Sequence, residues 1–260
     1  MSVLDFFSLQ GKVAVVSGGA DKFGRQVGLA LAQAGATTYV TSRNREKLAT
    51  MERAYAEAGC RVRALHLDLE DEASISALKE QVLSEQDGRV DILVNNAGGP
   101  MMKDWYDRQG FARSMIAYAY GLYLMTIEFA EVMARRRSGS IINIGSIHGM
   151  IGPDDTLYEG LDMPRPVPDY FFVKGGMINF TRFVASHYGP YQVRCNCVSP
   201  GGLRSERNTA EFAERYAKRT FLGRMAGDTD LMGTIVYLAS DASLYVTGVN
   251  IPVDGGYTAK

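Results

Sequence analysis

Cysteine is scarce in this chain: three residues among 260, Cys60, Cys195 and Cys197, an odd number without the spacing of a paired framework. That excludes a fold held by disulfides and fits a reducing compartment. Cys195 and Cys197 lie two apart, on one face of a strand, and no second Cys or His pair matches them, so they read as small core residues and no metal site is expected. Long apolar runs are also missing. No stretch reaches the roughly 18 residues of a membrane span, and the opening "MSVLDFFSLQGK" has neither a basic start nor an apolar core, so a cytoplasmic protein without a membrane partner is expected. Charge of one sign is not in excess either: 28 basic and 29 acidic residues are interspersed, which leaves no basic stripe for nucleic acid. There is no internal repeat, low-complexity tract or linker.

What the sequence does contain is alternation. Apolar, β-branched runs recur as "VAVVS" near 13, "TTYVTS" near 37, "VRALHLD" near 62, "DILVNN" near 91, "IINIGS" near 141 and "VRCNCVS" near 193, with amphipathic stretches of helical length between them. A last short strand, in "GVNIPVDGG", is expected to pair at one edge. Runs that are apolar throughout, rather than at every second residue, belong to strands covered on both faces. The expectation is an α/β chain forming one domain over 1–260, a doubly wound parallel sheet of about seven strands with helices on both faces, the Rossmann arrangement. One region breaks the pattern. In "GPDDTLYEGLDMPRPVPD", residues 152–169, four prolines and four aspartates argue for an irregular loop, and a long loop in a compact domain usually serves function.

Two patterns carry chemistry. "SGGADKFG", Ser17 to Gly24, stands where the first strand turns into a helix. Such a turn lets bare backbone approach a pyrophosphate at the helix N-terminus, although Lys22, next to Phe23, replaces one of the usual glycines. Lys22 is then either a tolerated distortion of the loop or a partner for phosphate. Tyr170 and Lys174 stand four apart in "YFFVK". On a helix they share a face, where an ammonium favours an ionised phenol and lowers a pKa that is ordinarily about 10 toward the range useful for proton transfer.

Four motifs in order, the glycine turn, "VDILVNNAGG" with Asn95-Asn96-Ala97-Gly98, "INIGS" with Ser146 followed by Tyr170 and Lys174, and "VSPGGLRS" with "VTGVNIPVDGG", resemble the short-chain dehydrogenase/reductases over essentially the whole chain. The resemblance implies an oxidoreductase moving hydride between a nicotinamide and a carbonyl or secondary alcohol. Tyr170 would be the acid/base, Lys174 its electrostatic partner and ribose anchor, and Ser146 the group that orients the substrate oxygen. Tyr158 lies nearer to Ser146 but has Asp162, not a lysine, four residues on, so Tyr170 is preferred. The resemblance also implies cofactor contacts from Ser17, Gly18, Gly24, Asn95, Asn96, Ala97 and Gly98, from Asp68 and Leu69 at the adenine, and from Pro200, Gly201, Leu203 and Ser205 at the nicotinamide. A homo-oligomer, tetramer or dimer, built on the helices around Tyr118 and Tyr170 is implied as well.

Ser42 and Arg43 end the second strand, where NAD enzymes often carry an acid and NADP enzymes an arginine, so NADP(H) is favoured with NAD(H) possible. Asp21 opposes a phosphate by like charge; Lys22 compensates. The alternative for Arg43 is a solvated surface charge, and for Asp68 a helix cap shared with Asp71.

Two departures from the family stand out. Counting 28 residues back from Ser146 gives Tyr118, where the family normally has an asparagine in the proton relay. Tyr118 either supplies a hydroxyl there or fills the channel. The segment 152–169 lengthens the Ser146 to Tyr170 interval and is expected to wall the pocket or close over it as a lid. Insertions with a similar "PD…YEG…M…P…Y" pattern occur in members linked to bacterial surface-sugar biosynthesis, and Asp154, Asp155, Tyr158 and Glu159 suit a polyhydroxylated substrate. His148, two residues past Ser146, is either a substrate contact or structural. Other readings are a cofactor-binding protein of this fold with little catalysis, a sensor or scaffold, and an epimerase or dehydratase using hydride transiently.

Overall fold

The computed structural model describes residues 2–20, 22–98 and 101–260, apart from the Lys22 side chain; the expectations for Asp21 and for that side chain lie outside the described residues. Seven strands form where the β-branched runs lie: β1 (Val13–Ser17), β2 (Thr37–Ser42), β3 (Val62–His66), β4 (Ile92–Asn95), β5 (Gly139–Ile144), β6 (Val193–Pro200) and β7 (Asn250–Val253). Their order is β3-β2-β1-β4-β5-β6-β7 and every neighbouring pair runs parallel, with β7 at an edge as expected. β1, β4 and β6 are buried along their whole length. Both faces are therefore covered, which is why these strands read as unbroken apolar runs.

The helices are α1 (Lys22–Gln33), α2 (Leu48–Glu57), α3 (Glu72–Glu85), α4 (Arg108–Ser114), α5 (Gly121–Arg136), α6 (Pro168–Tyr188), α7 (Ala210–Ala217) and α8 (Met232–Ala239). Alternate residues of one strand feed two cores. Ala14 and Val16 pack with Val27 of α1, Tyr55 of α2 and Ile235 of α8. Val13 and Val15 face the other way, toward Leu78 of α3, Phe129 of α5 and Val184 of α6.

Local chemistry sets the helix starts. Asp71, not Asp68, caps α3 by accepting from the Ala73 N–H, Asp107 caps α4, Thr209 caps α7, and Pro168 opens α6. The irregular segment thus ends at Val167, and Pro168 and Asp169 are already helical. Between α4 and α5 the chain widens into a π-helical stretch, Met115–Tyr120, a form that concentrates at functional sites. Strand order reverses between β1 and β4, and a parallel sheet binds ligands in the crevice outside that switch point.

Candidate active site

Ser146 stands two residues past the end of β5 and is 6% exposed. Its Oγ accepts the His148 N–H at 3.1 Å, which caps the short turn Ile147–Gly149. That turn lies hard against α6: a Cβ on Gly149 would meet the Lys174 carbonyl oxygen at 2.6 Å. The close approach carries Tyr170 and Lys174 to Ser146. Lys174 is 3% exposed, its Nζ donates to the Ile144 carbonyl at 2.6 Å and lies 5.6 Å from the centre of the Tyr170 ring.

The titration directions differ from expectation. Burial raises the Tyr170 phenol above its usual value, and a hydrogen bond with Ser146, rather than the charge of Lys174, works against it. Burial also lowers Lys174 to about 8, opposed only by the Cys197 thiol nearby. The lysine spends its position on the Ile144 carbonyl, so desolvation governs both groups.

The second component is a cleft of about 180 Å³ lined by Gly18, Thr41, Ser42, Arg43, Asp68, Leu69, Glu70, Ala97, Gly98, Met101 and Tyr118 among others. Its floor is the glycine turn. A Cβ on Gly24 would lie 1.9 Å from the Gly18 carbonyl oxygen, so the turn closes only around a bare residue. Asn96 Nδ2 donates to the carbonyls of Ser17 and Gly18, at 3.1 and 2.5 Å, and ties the end of β4 to the turn after β1.

A profile of the family described as Enoyl-(Acyl carrier protein) reductase matches residues 18–258. The chain is 34% identical over 270 residues to the 2-dehydro-3-deoxy-D-gluconate 5-dehydrogenase of Escherichia coli (strain K12), covering 99% of this chain and 100% of that one. A solved short-chain type dehydrogenase/reductase from Mycobacterium marinum is 31% identical, with a TM-score of 0.86 and full coverage of both chains. The chain belongs to the short-chain dehydrogenase/reductases. A gluconate 5-dehydrogenase from Burkholderia cenocepacia J2315, solved in complex with NADP and tartrate, is 28% identical with a TM-score of 0.86 over the full length of both chains. As a short-chain dehydrogenase/reductase the chain is an NAD(P)-dependent oxidoreductase.

The cleft fits such a cofactor: a tight glycine turn at a helix N-terminus, open backbone at Gly98, and polar groups from the ends of β2 and β3 surround one space. Among the described residues no three His, Cys, Asp or Glu side chains cluster as a metal site.

Several residues that this short-chain dehydrogenase/reductase shares with the family motifs face inward. Ser17 is 2% exposed, and its Oγ accepts the Asn96 and Ala97 N–H groups at 3.0 and 3.1 Å. Asn95 is buried and donates to Thr126 Oγ1 and Asn143 Oδ1, at 3.2 and 2.9 Å. Both side chains are turned into the protein behind the cleft wall. Phe23, in the first turn of α1, likewise packs partly into the core. Asp68 accepts the Glu70 N–H and lines the cleft with Leu69. Pro200 ends β6, Gly201 sits in a separate hollow with Tyr216 and Asp254, Leu203 bridges to Ala226, and the Ser205 hydroxyl donates to Asn208 at 3.0 Å.

Tyr118 is half-buried on the cleft wall, with its ring beside Gly98. Burial raises its phenol, and the charges acting on it are Arg43, Glu70, Asp169 and Arg113. Its ring lines the cleft, while Lys174 donates to the Ile144 carbonyl.

The segment after Ser146 is fastened to α7. Leu157, Tyr158, Leu161 and Met163 pack with Phe212 and Tyr216, the Tyr158 and Phe212 rings lying 5.4 Å apart. Arg215 donates to the carbonyls of Thr156 and Glu159, at 3.2 and 2.7 Å, and Arg219 binds Asp154 and the Thr156 hydroxyl. Tyr158 and Asp154 thus hold the segment in place. His148 packs on Phe171 at 4.6 Å and stands edge-on to Tyr170 at 6.1 Å; burial lowers its pKa, which favours the uncharged ring, and its Nδ1 is buried without a partner among the described residues.

Sequence reasoning passed over Asn143, a fully buried asparagine in the middle of β5 that joins Asn95 to Thr181, and Asp169, whose Oδ2 accepts the Met101 and Met102 N–H groups at 2.7 and 3.3 Å. The first was detectable as a polar residue inside an apolar run.

Proposed function

We propose that the chain interconverts a carbonyl and a secondary alcohol on a polyhydroxylated, sugar-derived molecule, with NADP(H) preferred over NAD(H). The meeting of Ser146, Tyr170 and Lys174 at the carboxyl end of β5, beside the nucleotide cleft, carries this reading. The backbone of Gly18, Gly24, Ala97 and Gly98, with Asp68, Leu69, Ser42 and Arg43, would hold a nicotinamide cofactor in the cleft, where it would supply or accept the hydride. Lys22, Pro200, Gly201, Leu203 and Ser205 complete the set. Ser146 Oγ hydrogen-bonds the substrate oxygen and fixes it beside the Tyr170 hydroxyl. Tyr170, kept protonated by its burial, gives that oxygen its proton in the reducing direction. Lys174 holds a buried positive end near the phenol and favours the tyrosinate left behind. His148 stands at the substrate side of Tyr170.

The sugar reading is supported by the nature of two similar proteins, both named for gluconate-type substrates, one of them solved with NADP and tartrate. It also fits the lengthened segment 152–169, which we read as the wall of the substrate pocket and as akin to the insertions of sugar-biosynthesis members. We place the enzyme in the cytoplasm as a homo-oligomer, tetramer or dimer. Ile116, Tyr123, Phe172 and Phe183, exposed between 45 and 67% in and around α5 and α6, support an interface there.

The test is consumption of NADPH and NADH against a panel of keto-sugar acids, ketoses, simple cyclic ketones and β-ketoacyl thioesters. Turnover is expected with the polyhydroxylated members and faster with NADPH. Tyr170→Phe should lose turnover, about 10²-fold or more, while still binding cofactor. Retained turnover would overturn the assignment of Tyr170, and silence of the native protein across the panel would point to cofactor binding without catalysis.

A further inference from the structure

Arg43, at the end of β2, and Glu70, after β3, face each other across the cleft wall, Arg43 Nη1 lying 3.3 Å from Glu70 Oε1. Alone, that pair is a poor receptor for a phosphate. The carboxylate neutralises the arginine and presents lone pairs to the ribose hydroxyls, which is the environment of an NAD site. A third residue alters it. Arg113, in the last turn of α4, grips Glu70 with a two-point fork, Nε to Oε2 and Nη2 to Oε1, both at 2.8 Å. The fork takes both carboxylate oxygens and brings the trio to a net charge of +1.

We propose that Arg113, which does not line the cleft and lies 43 residues from Glu70 in sequence, is a cofactor-specificity residue: it shares Glu70 with Arg43, so weakening the carboxylate's hold on Arg43 and letting that arginine turn to a 2′-phosphate on the adenosine ribose. The proposal rests on the reading of Arg43 above. The direction of the Glu70 titration agrees with it, since the carboxyl is held below its usual range first by Arg113 and only then by Arg43. Burial works the other way. Arg43 and Arg113 are both 61% exposed in their side chains, so the effect is moderate and weakens with salt.

Affinities of the substrate-free protein for NADPH and NADH, by calorimetry or nicotinamide fluorescence at low and high salt, test this without turnover. Arg113→Met should weaken NADPH about three- to fivefold and leave NADH unchanged or tighter, the scale of one partly exposed charge. Adding Glu70→Gln to that variant should restore NADPH, because no carboxylate remains to hold Arg43. At high salt the difference should shrink. Equal weakening of both cofactors by Arg113→Met, unrelieved by Glu70→Gln, would show that Arg113 merely braces α4 and would overturn the proposal. Arg43→Ala separates the two layers. If it leaves the NADPH to NADH ratio unchanged, the reading of Arg43 falls and this one with it; if it shifts the ratio and Arg113→Met does not, only the role of Arg113 falls.

Discussion

Lys174 Nζ stands 2.6 Å from the carbonyl oxygen of Ile144, the last residue of β5 and two residues ahead of Ser146. The buried ammonium of α6 is thereby pinned to the strand that presents the serine. Its Nζ stays 5.6 Å from the centre of the Tyr170 ring, and burial sets the direction of the phenol.

That burial has a thermodynamic signature. With a folded pKa lowered to about 8 and an ordinary value of 10.5, Lys174 binds more protons in the unfolded chain than in the folded one between those limits. Stability from this group therefore rises with pH from about 8 to 10.5, and its full cost is present below about 8. Urea midpoints of the native protein and Lys174→Met, compared at the two ends of that window, should show the native chain gaining on the variant, by at most about 3 kcal/mol. A difference that does not change with pH would contradict the burial argument.

Asn143 bonds at 2.9 Å to both Asn95 and Thr181, and so stitches β4 to β5 and β5 to α6. Asn143→Val should destabilise the fold by about 2 kcal/mol through the polar groups left unpaired. Asn95→Val added to it should cost less than its single effect, because the two share one bond. Denaturant titrations of the cycle measure this; strict additivity would count against the network.

On the cleft wall beside Gly98, Tyr118 should act on cofactor binding. Tyr118→Phe is expected to change the KM for cofactor several-fold while kcat at saturating cofactor stays within about twofold. Steady-state kinetics decide it, a collapse of kcat alone indicating the relay role instead.

Arg219 binds Asp154 and Thr156 and so anchors the segment before α6. Arg219→Ala should raise the KM for substrate several-fold with cofactor affinity unchanged, and should open residues 152–167 to limited proteolysis. Unaltered digestion would mean that the apolar contacts suffice.

The strands were legible because a doubly covered sheet demands unbroken β-branched runs, and β1 to β7 all stand where those runs lie. Tyr170 and Lys174 were legible through helical spacing. What a motif does not encode is the direction in which each side chain turns. Ser17 and Asn95 belong to the family pattern yet point into the protein, and Tyr158, which looked like a substrate contact, spends its ring on Phe212. Nor does local sequence reveal partners that the fold alone brings together, such as Arg113 with Glu70 or Arg219 with Asp154.

The footing of residues 152–167 on α7 makes the two segments one inheritable module. Arg215 and Arg219 on one side, and Thr156, Glu159 and Asp154 on the other, are matched like halves of a clasp. A chimera that borrows the loop from a relative without its helix, or the helix without its loop, would join mismatched halves. Exchange of substrate range among such proteins would have to move both pieces at once.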